Sequence, residues 1–251
     1  MKELASDERF PELREALRAA CEPFGSAYWQ KVDEARGYPE EFVRMLTLGG
    51  WLSAMIPAEY GGSGLGLAEA SVIMEEVNRS GGNAGSCHGQ MYNMGTLLRH
   101  GSEDQKKRWL PRIASGELRL QSMAVTEPAA GTDTSKIRTT AVKKGDRWIV
   151  NGQKVWTSRV QHSDGIILLA RTTPLADVKR KTEGMTLFLV HVQDALAHGM
   201  TVRPIRNMVN HETNEVFFED LEIGPGQVIG EEGAGFRYIL DGLNAERTLI
   251  A

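Results

Sequence analysis

Cysteine is scarce in this sequence: Cys21 and Cys87 are the only two in 251 residues. Two distant thiols exclude a disulfide-stapled scaffold, and without a C-x-x-C pair they also exclude a zinc finger or ribbon. The 6 histidines show no H-E-x-x-H or comparable ligand spacing, so no metal centre is expected. No uncharged apolar run reaches the ~18 residues of a membrane span. Residues 1–10 interleave Lys2, Glu3, Asp7, Glu8 and Arg9 with no apolar stretch, so no signal peptide is expected. Charge of one sign is lacking too. With 29 Lys+Arg against 33 Asp+Glu the net charge is −4, which gives no electrostatic reason to bind nucleic acid or anionic lipid. G-x-S-x-G motifs, internal repeats and low-complexity tracts are also missing. What remains is a soluble globular chain of one large or two ordinary domains, suited to a reducing compartment.

Glycine, by contrast, is abundant. The 27 glycines are about 11% of the chain, against a typical ~7%, and imply many tight turns or close backbone approaches. Up to about residue 120 the apolar pattern is helical. Ser6-Asp7-Glu8-Arg9 reads as a capped helix start before Leu13, Ala16, Leu17 and Ala20. Pro39 opens a second helix through Phe42, Met45 and Leu46 that Gly49-Gly50 ends. Leu67–Val77 and His88–Arg99 follow, and Ser102-Glu103-Asp104-Gln105 is a capping box for another.

After Gly116 the period changes to that of strands. A hairpin turn over Val142–Trp148 is expected between Thr139–Ala141 and Trp148–Val150, and Asn151-Gly152 predicts a second hairpin leading to Val155-Trp156. Ile166–Ala170, Met185–Val192, Thr201–Ile205 and Glu215–Ile223 follow without a full helix between them. A mainly antiparallel sheet, a barrel or a sandwich, is therefore expected. From Gly233 helical periodicity returns, with Phe236, Ile239, Leu240, Leu243, Leu249 and Ile250 near one face. No stop signal precedes Ala251, so a continuation of this helix is expected. The expected fold class is α+β.

Four clusters bear on chemistry. Gly61-Gly62-Ser63-Gly64-Leu65-Gly66 lacks the G-x-G-x-x-G register and follows no strand, so it reads as a helix-to-helix loop rather than a nucleotide loop. Val125–Ser135 gathers small side chains, hydroxyls and Gly131. Such a loop can cradle a phosphate or a flat polar ring, or be an ordinary connector. Trp156-Thr157-Ser158 can stack beside and hydrogen-bond a cofactor ring, or be a half-buried strand segment. Glu246-Arg247 is either a solvated pair or a carboxylate held for chemistry.

Taken in order, these motifs resemble the acyl-CoA dehydrogenase family along nearly the whole chain. The matching segments are Pro57–Gly64, Gly101–Lys106, Met123–Pro128 with Gly131-Thr132-Asp133, Asn151–Ser158, Val216–Asp220 and Gly230–Phe236. The resemblance implies an N-terminal helical domain over 1–120, a middle β-domain over 121–233 and, over 234–251, the first helix of a truncated C-terminal helical domain. It implies FAD as cofactor and an acyl-CoA substrate oxidised to the trans-2-enoyl-CoA. A carboxylate removes the α-proton while the β-hydrogen leaves as hydride to flavin N5, and an electron-transfer flavoprotein takes the electrons. Carried over residue by residue, Met123, Val125 and Thr126 are expected at the flavin pyrimidine edge. Thr132 is expected at pyrophosphate and near substrate, where the family usually has Ser. Trp156, Thr157 and Ser158 are expected over the flavin, Ser158 standing where Thr is usual.

Glu246, just before Arg247, matches the base position of enzymes resembling the isovaleryl-CoA and long-chain types, and Asn244 and Arg247 are expected on the CoA side. The family also implies a homotetramer, and the lack of a transit peptide favours a bacterial cytoplasm over a mitochondrial matrix after processing. An acyl-CoA oxidase or flavin monooxygenase of the same fold, and a non-catalytic acyl-CoA-binding relative, stay open beside it.

Overall fold

Residues 9–250 are described by the computed structural model. The helical part runs α1 (Pro11–Cys21), α2 (Ser26–Glu34), α3 (Glu40–Leu48), α4 (Leu67–Arg79), α5 (His88–His100) and α6 (Glu103–Ala114). The helix start read at Ser6–Glu8 lies outside the described residues. α1 begins at Pro11, behind Phe10 in the left-handed region at φ 57°, with no side-chain cap. Pro39 stands one place before the first turn, as the N-cap of α3. The capping box forms as its spacing requires: Gln105 N–H donates to Ser102 Oγ at 3.2 Å, and Ser102 N–H to Gln105 Oε1 at 3.0 Å. The same Gln105 amide donates to the carbonyls of Gly226 and Val228 at 3.0 and 2.9 Å, tying α6 to the sheet. The glycine cluster is a connector into α4. Gly61 and Gly64 have φ of 87° and 64°, and a Cβ at Gly62 would stand 2.1 Å from the Ile56 carbonyl oxygen.

α1 packs on α4 through Leu17, Ile73 and Val77 and through a buried ionic knot. Glu76, fully buried, accepts from Arg14 Nη1 and Arg18 Nε, each at 2.6 Å, and Arg14 also reaches Glu75 at 2.8 Å. α5 is the central helix. Most of its residues from Gly89 to Leu97 are buried, with α6 on one side and the sheet on another.

The sheet comprises β1 (Ser122–Ala124), β2 (Thr140–Lys144), β3 (Arg147–Ser158), β4 (Gly165–Arg171), β5 (Met185–His191), β6 (Met200–Pro204), β7 (Thr213–Ile223) and β8 (Val228–Ile229), with the short α7 (Val192–Ala197) after β5. Its order is β6-β7-β3-β2-β4-β5-β8, and β1 pairs in parallel with β4. β6 and β8 end the path, so the sheet surrounds a core without closing into a full barrel. β4 is buried along its whole length because both its faces are covered. Ile166, Leu168 and Ala170 face the interior with Trp148, Phe188 and Phe218, while Ile167 and Leu169 meet Trp109 and Leu110 of α6.

One expectation fails here. Asn151-Gly152 is not a hairpin turn, because β3 runs through it and pairs with β7 from Trp148 to Ser158. The pair forms a β-bulge, with the register against β7 slipping between Val150 and Gly152. Gly152 sits at φ 153°, where a Cβ would lie 2.6 Å from Thr139 Cα. The long ladder with β7 outweighs the local turn propensity.

α8 (Gly235–Ile250) also departs in detail from the expected face. Its buried stripe is Gly235, Tyr238, Ile239, Gly242, Ala245 and Leu249, whereas Leu240 and Ile250 are exposed. Tyr238 and Ile239 join the core under the sheet, and Ala245 and Leu249 join that of the helices. No described helix is long and apolar enough to cross a membrane.

The ionic knot makes stability depend on pH. Hydrogen bonds from Arg18, aided by Arg14, outweigh burial and hold the Glu76 carboxyl below its ordinary range. The folded pKa lies below the unfolded one, so this stabilisation is present above the ordinary carboxylate pKa of ~4.5 and is lost as pH falls through the folded value. Denaturant midpoints measured against pH should fall more steeply in acid for the parent than for Glu76→Gln.

Candidate functional site

A cavity of about 520 Å³ opens where the end of β1, the end of β3, α5 and α8 meet. Met123, Val125 and Thr126 enter it from β1 and the loop that follows, and Thr132 from further along that loop. Trp156 and Ser158 line it from β3, Glu246 and Arg247 from α8. Two expected residues do not line it. Thr157 alternates to the opposite side of β3, buried at 1% exposure, with Asn214 Nδ2 donating to its carbonyl at 3.0 Å. Asn244 is exposed and accepts from Arg247 Nη1 at 2.6 Å. A larger cavity of about 990 Å³, lined among others by Arg108, Asp194 and Asp220, contains none of the expected residues.

The local backbone is built for this site. Val155 N–H donates to the Thr126 carbonyl at 2.9 Å, fastening the loop to β3. Beyond it β3 breaks register a second time, between Lys154 and Thr157, and Trp156 adopts φ 59°. That conformation is uncommon for a bulky residue and costs on the order of 1–3 kcal/mol. It turns the indole outward, leaving Trp156 60% exposed at the cavity. Ser158 Oγ accepts from Asn210 Nδ2 at 3.2 Å.

Burial raises the Glu246 pKa, against the lowering pull of Arg247 and Arg159. Burial, aided by Arg159, lowers the His88 pKa to about 4, so its imidazole is neutral near pH 7. His88 Nδ1 faces the Ala84 carbonyl oxygen at 3.1 Å, which assigns the ring proton to Nδ1. The cavity thus offers a carboxylate inclined to take a proton, an exposed aromatic face and several hydroxyls.

Comparison with known proteins gives these residues a family. The acyl-CoA dehydrogenase N-terminal domain matches residues 7–117, and the acyl-CoA dehydrogenase middle domain matches residues 122–221. The chain belongs to the acyl-CoA dehydrogenase family. It is 32% identical to "Acyl-CoA dehydrogenase FadE26" of Mycobacterium tuberculosis, over 96% of this chain and 56% of that one. It is also 32% identical to the mitochondrial isovaleryl-CoA dehydrogenase of Pongo abelii, over 96% and 57%. The structure of a glutaryl-coenzyme A dehydrogenase–glutaryl-CoA complex superposes with a TM-score of 0.86 at 27% identity, covering 94% of this chain and 60% of that chain. The chain therefore spans little more than half the length of these acyl-CoA dehydrogenases.

What holds the family's loop in place went unread in the sequence. Lys154, at 0% exposure, donates to Glu127 Oε1 at 2.9 Å and to the Val125 carbonyl at 3.0 Å. Glu127 also accepts from Arg138 N–H at 2.6 Å and Thr139 N–H at 2.9 Å. Burial pushes Glu127 up, but Lys154 and the two N–H groups outweigh it and hold the carboxyl low, whereas burial brings Lys154 down to about 8. Glu127 and Lys154 both lie inside the motifs that carry the resemblance, and a charged residue on an otherwise alternating strand was the available signal. Gln121, Tyr92, His88 and Arg159 also line the cavity and were likewise missed. Arg159 follows Trp156-Thr157-Ser158 directly, so adjacency could have found it.

Glu127→Ala strands a buried ammonium and two N–H groups together, and should destabilise the fold by about 3–5 kcal/mol in chemical denaturation. Lys154→Met should cost less, since Glu127 keeps two of its three donors.

Proposed function

We propose that this chain carries the catalytic core of an FAD-dependent acyl-CoA dehydrogenase, converting an acyl-CoA thioester to the trans-2-enoyl-CoA. The observation that carries this reading is the meeting, in one cavity, of the strained, outward-turned Trp156 ring and the half-buried Glu246 carboxylate. The residues present fit the cofactor: an indole that the protein leaves uncovered suits a flat ring, and Thr126, Thr132 and Ser158 supply hydroxyls around it. Met123, Val125 and Thr126 would hold its pyrimidine edge, Thr132 its pyrophosphate, and Trp156 and Ser158 its ring. When bound, FAD supplies the acceptor for the β-hydrogen, which leaves as hydride.

Glu246 takes the α-proton. Partial desolvation raises its basicity toward that task, and the carboxylate is the active form. Arg247, which lines the cavity and donates to Asn244 Oδ1, would lie toward the CoA part of the substrate. An electron-transfer flavoprotein as acceptor, a homotetramer as the assembly and domain limits at 120 and 233 rest on the family resemblance, and a bacterial cytoplasm as compartment agrees with the mycobacterial relative.

Anaerobic addition of acyl-CoA to the purified protein should bleach its visible flavin band. Glu246→Gln should slow that reduction by about 10²–10⁴-fold while acyl-CoA still binds. In the parent the rate should fall on the acid side with a midpoint above 4.5, because protonation removes the base. Normal reduction by Glu246→Gln would show that another group takes the proton, and a protein that never holds flavin would defeat the whole reading.

A further inference from the structure

Arg159 is the feature of the cavity that dehydrogenation of a plain hydrocarbon chain does not use. It is 5% exposed, yet among the described residues its Nε has no hydrogen-bond partner and no carboxylate lies within ion-pair distance of its guanidinium. Its backbone is strained to φ 61° and anchored by Arg159 N–H donating to the Glu212 carbonyl at 2.8 Å. Gly85 leaves room for it: a Cβ there would come within 3.3 Å of Arg159 Nη2. A desolvated cation without a counter-ion is costly, and a fold that holds one beside a cavity is arranged to receive an anion.

A second orphan stands in the same cavity. Gln121 is buried, and its Oε1 accepts from Tyr38 Oη at 2.8 Å, which leaves Nε2 without a partner among the described residues. Two buried unpaired donors, one of them a planar guanidinium, match the paired oxygens of a carboxylate. Arg159 lines the same cavity as Glu246 of α8 and as Tyr92 and His88 of α5.

We propose that Arg159, with Gln121, binds a carboxylate at the far end of the acyl group, so that the substrate is a dicarboxylic acyl-CoA thioester. This rests on the proposed function, with the proton removed by Glu246 and the distal carboxylate serving recognition only. The second carboxylate neutralises the buried guanidinium, which a methyl-ended chain of the same length cannot do.

The test is equilibrium binding to the flavin-loaded protein carrying Glu246→Gln to prevent turnover. It compares thioesters paired by carbon number: glutaryl-CoA with pentanoyl-CoA, and adipyl-CoA with hexanoyl-CoA. The dicarboxylic member of at least one pair should bind about tenfold or more tighter, as a charge-assisted contact allows. Arg159→Met should abolish that preference while changing the affinity for the monocarboxylic partner by less than about threefold. Arg159→Lys should keep part of the preference, and thermal melts confirm folding.

Equal binding within both pairs would overturn the proposal and leave the dehydrogenase reading standing. So would an equal loss of both members in Arg159→Met, which would mark a contact to CoA phosphate. A fall in flavin content with the preference intact would mark a contact to the cofactor and would also overturn it. If Arg159→Met does not fold, the parent's preference and its reduction in Arg159→Lys decide the matter. Failure of every acyl-CoA to bind would remove both this proposal and the proposed function.

Discussion

The buried pair of Lys154 and Glu127 is the constraint on which the site depends. β3 and the 125–139 loop are separate pieces of chain, and among the described residues this pair is the buried charge contact that joins them. An isolated ammonium in that interior would be expelled or neutralised. Glu127 prevents this, and in doing so gathers the N–H groups of Arg138 and Thr139 and draws the Val125 carbonyl to Lys154. The loop is thereby fixed at both ends, Val125 and Thr126 on the cavity and Thr139 against the Gly152 bulge. Burial acts on two carboxylates here with opposite results. Glu127, saturated with donors, is held below its ordinary range, whereas Glu246, with no direct hydrogen bond among the described contacts, is raised. One holds the scaffold and the other is left poised to accept a proton.

The second requirement is the approach of α8 to α5. Gly242 allows it: a Cβ there would stand 2.5 Å from Thr96 Oγ1, so a larger residue would lift the helix. His100 Nε2 and Asp241 Oδ2, 2.7 Å apart, hold the same junction from its exposed side. With α8 seated between the two cores, Glu246 falls one turn beyond Gly242 and faces the end of β3. The distance from Glu246 to the loop residues along the chain, more than a hundred positions, is thus closed by packing rather than by local structure.

Much of this was legible in the residues. The capping box at Ser102, the end of α3 at Gly49 and the apolar run of β4 follow from short-range rules, and the structure obeys them; the hairpin before β3 forms as expected, but its turn is only Gly145-Asp146, since Val142–Lys144 and Arg147 pair in the ladder. Asn151-Gly152 misled because turn propensity is local, whereas β7 offers β3 a ladder that continues past it. On α8, apolar periodicity marked Leu240 and Ile250 for burial, but two glycines set the contact and rotated both residues outward.

Local chemistry in the sequence marked most of the helices and strands, though not α2, β1 or α7, and the residues of the 125–135 loop and of the Trp156-Thr157-Ser158 and Glu246-Arg247 motifs, since caps, turns and periodicity act over a few residues. Tertiary structure alone decided that Thr157 points away from the cavity, that Lys154 is paired and that Arg159 has no ion-pair partner among the described residues. The reason is physical: whether a buried charge has a counter-charge depends on which distant segments pack around it, and no neighbour in the chain supplies that information.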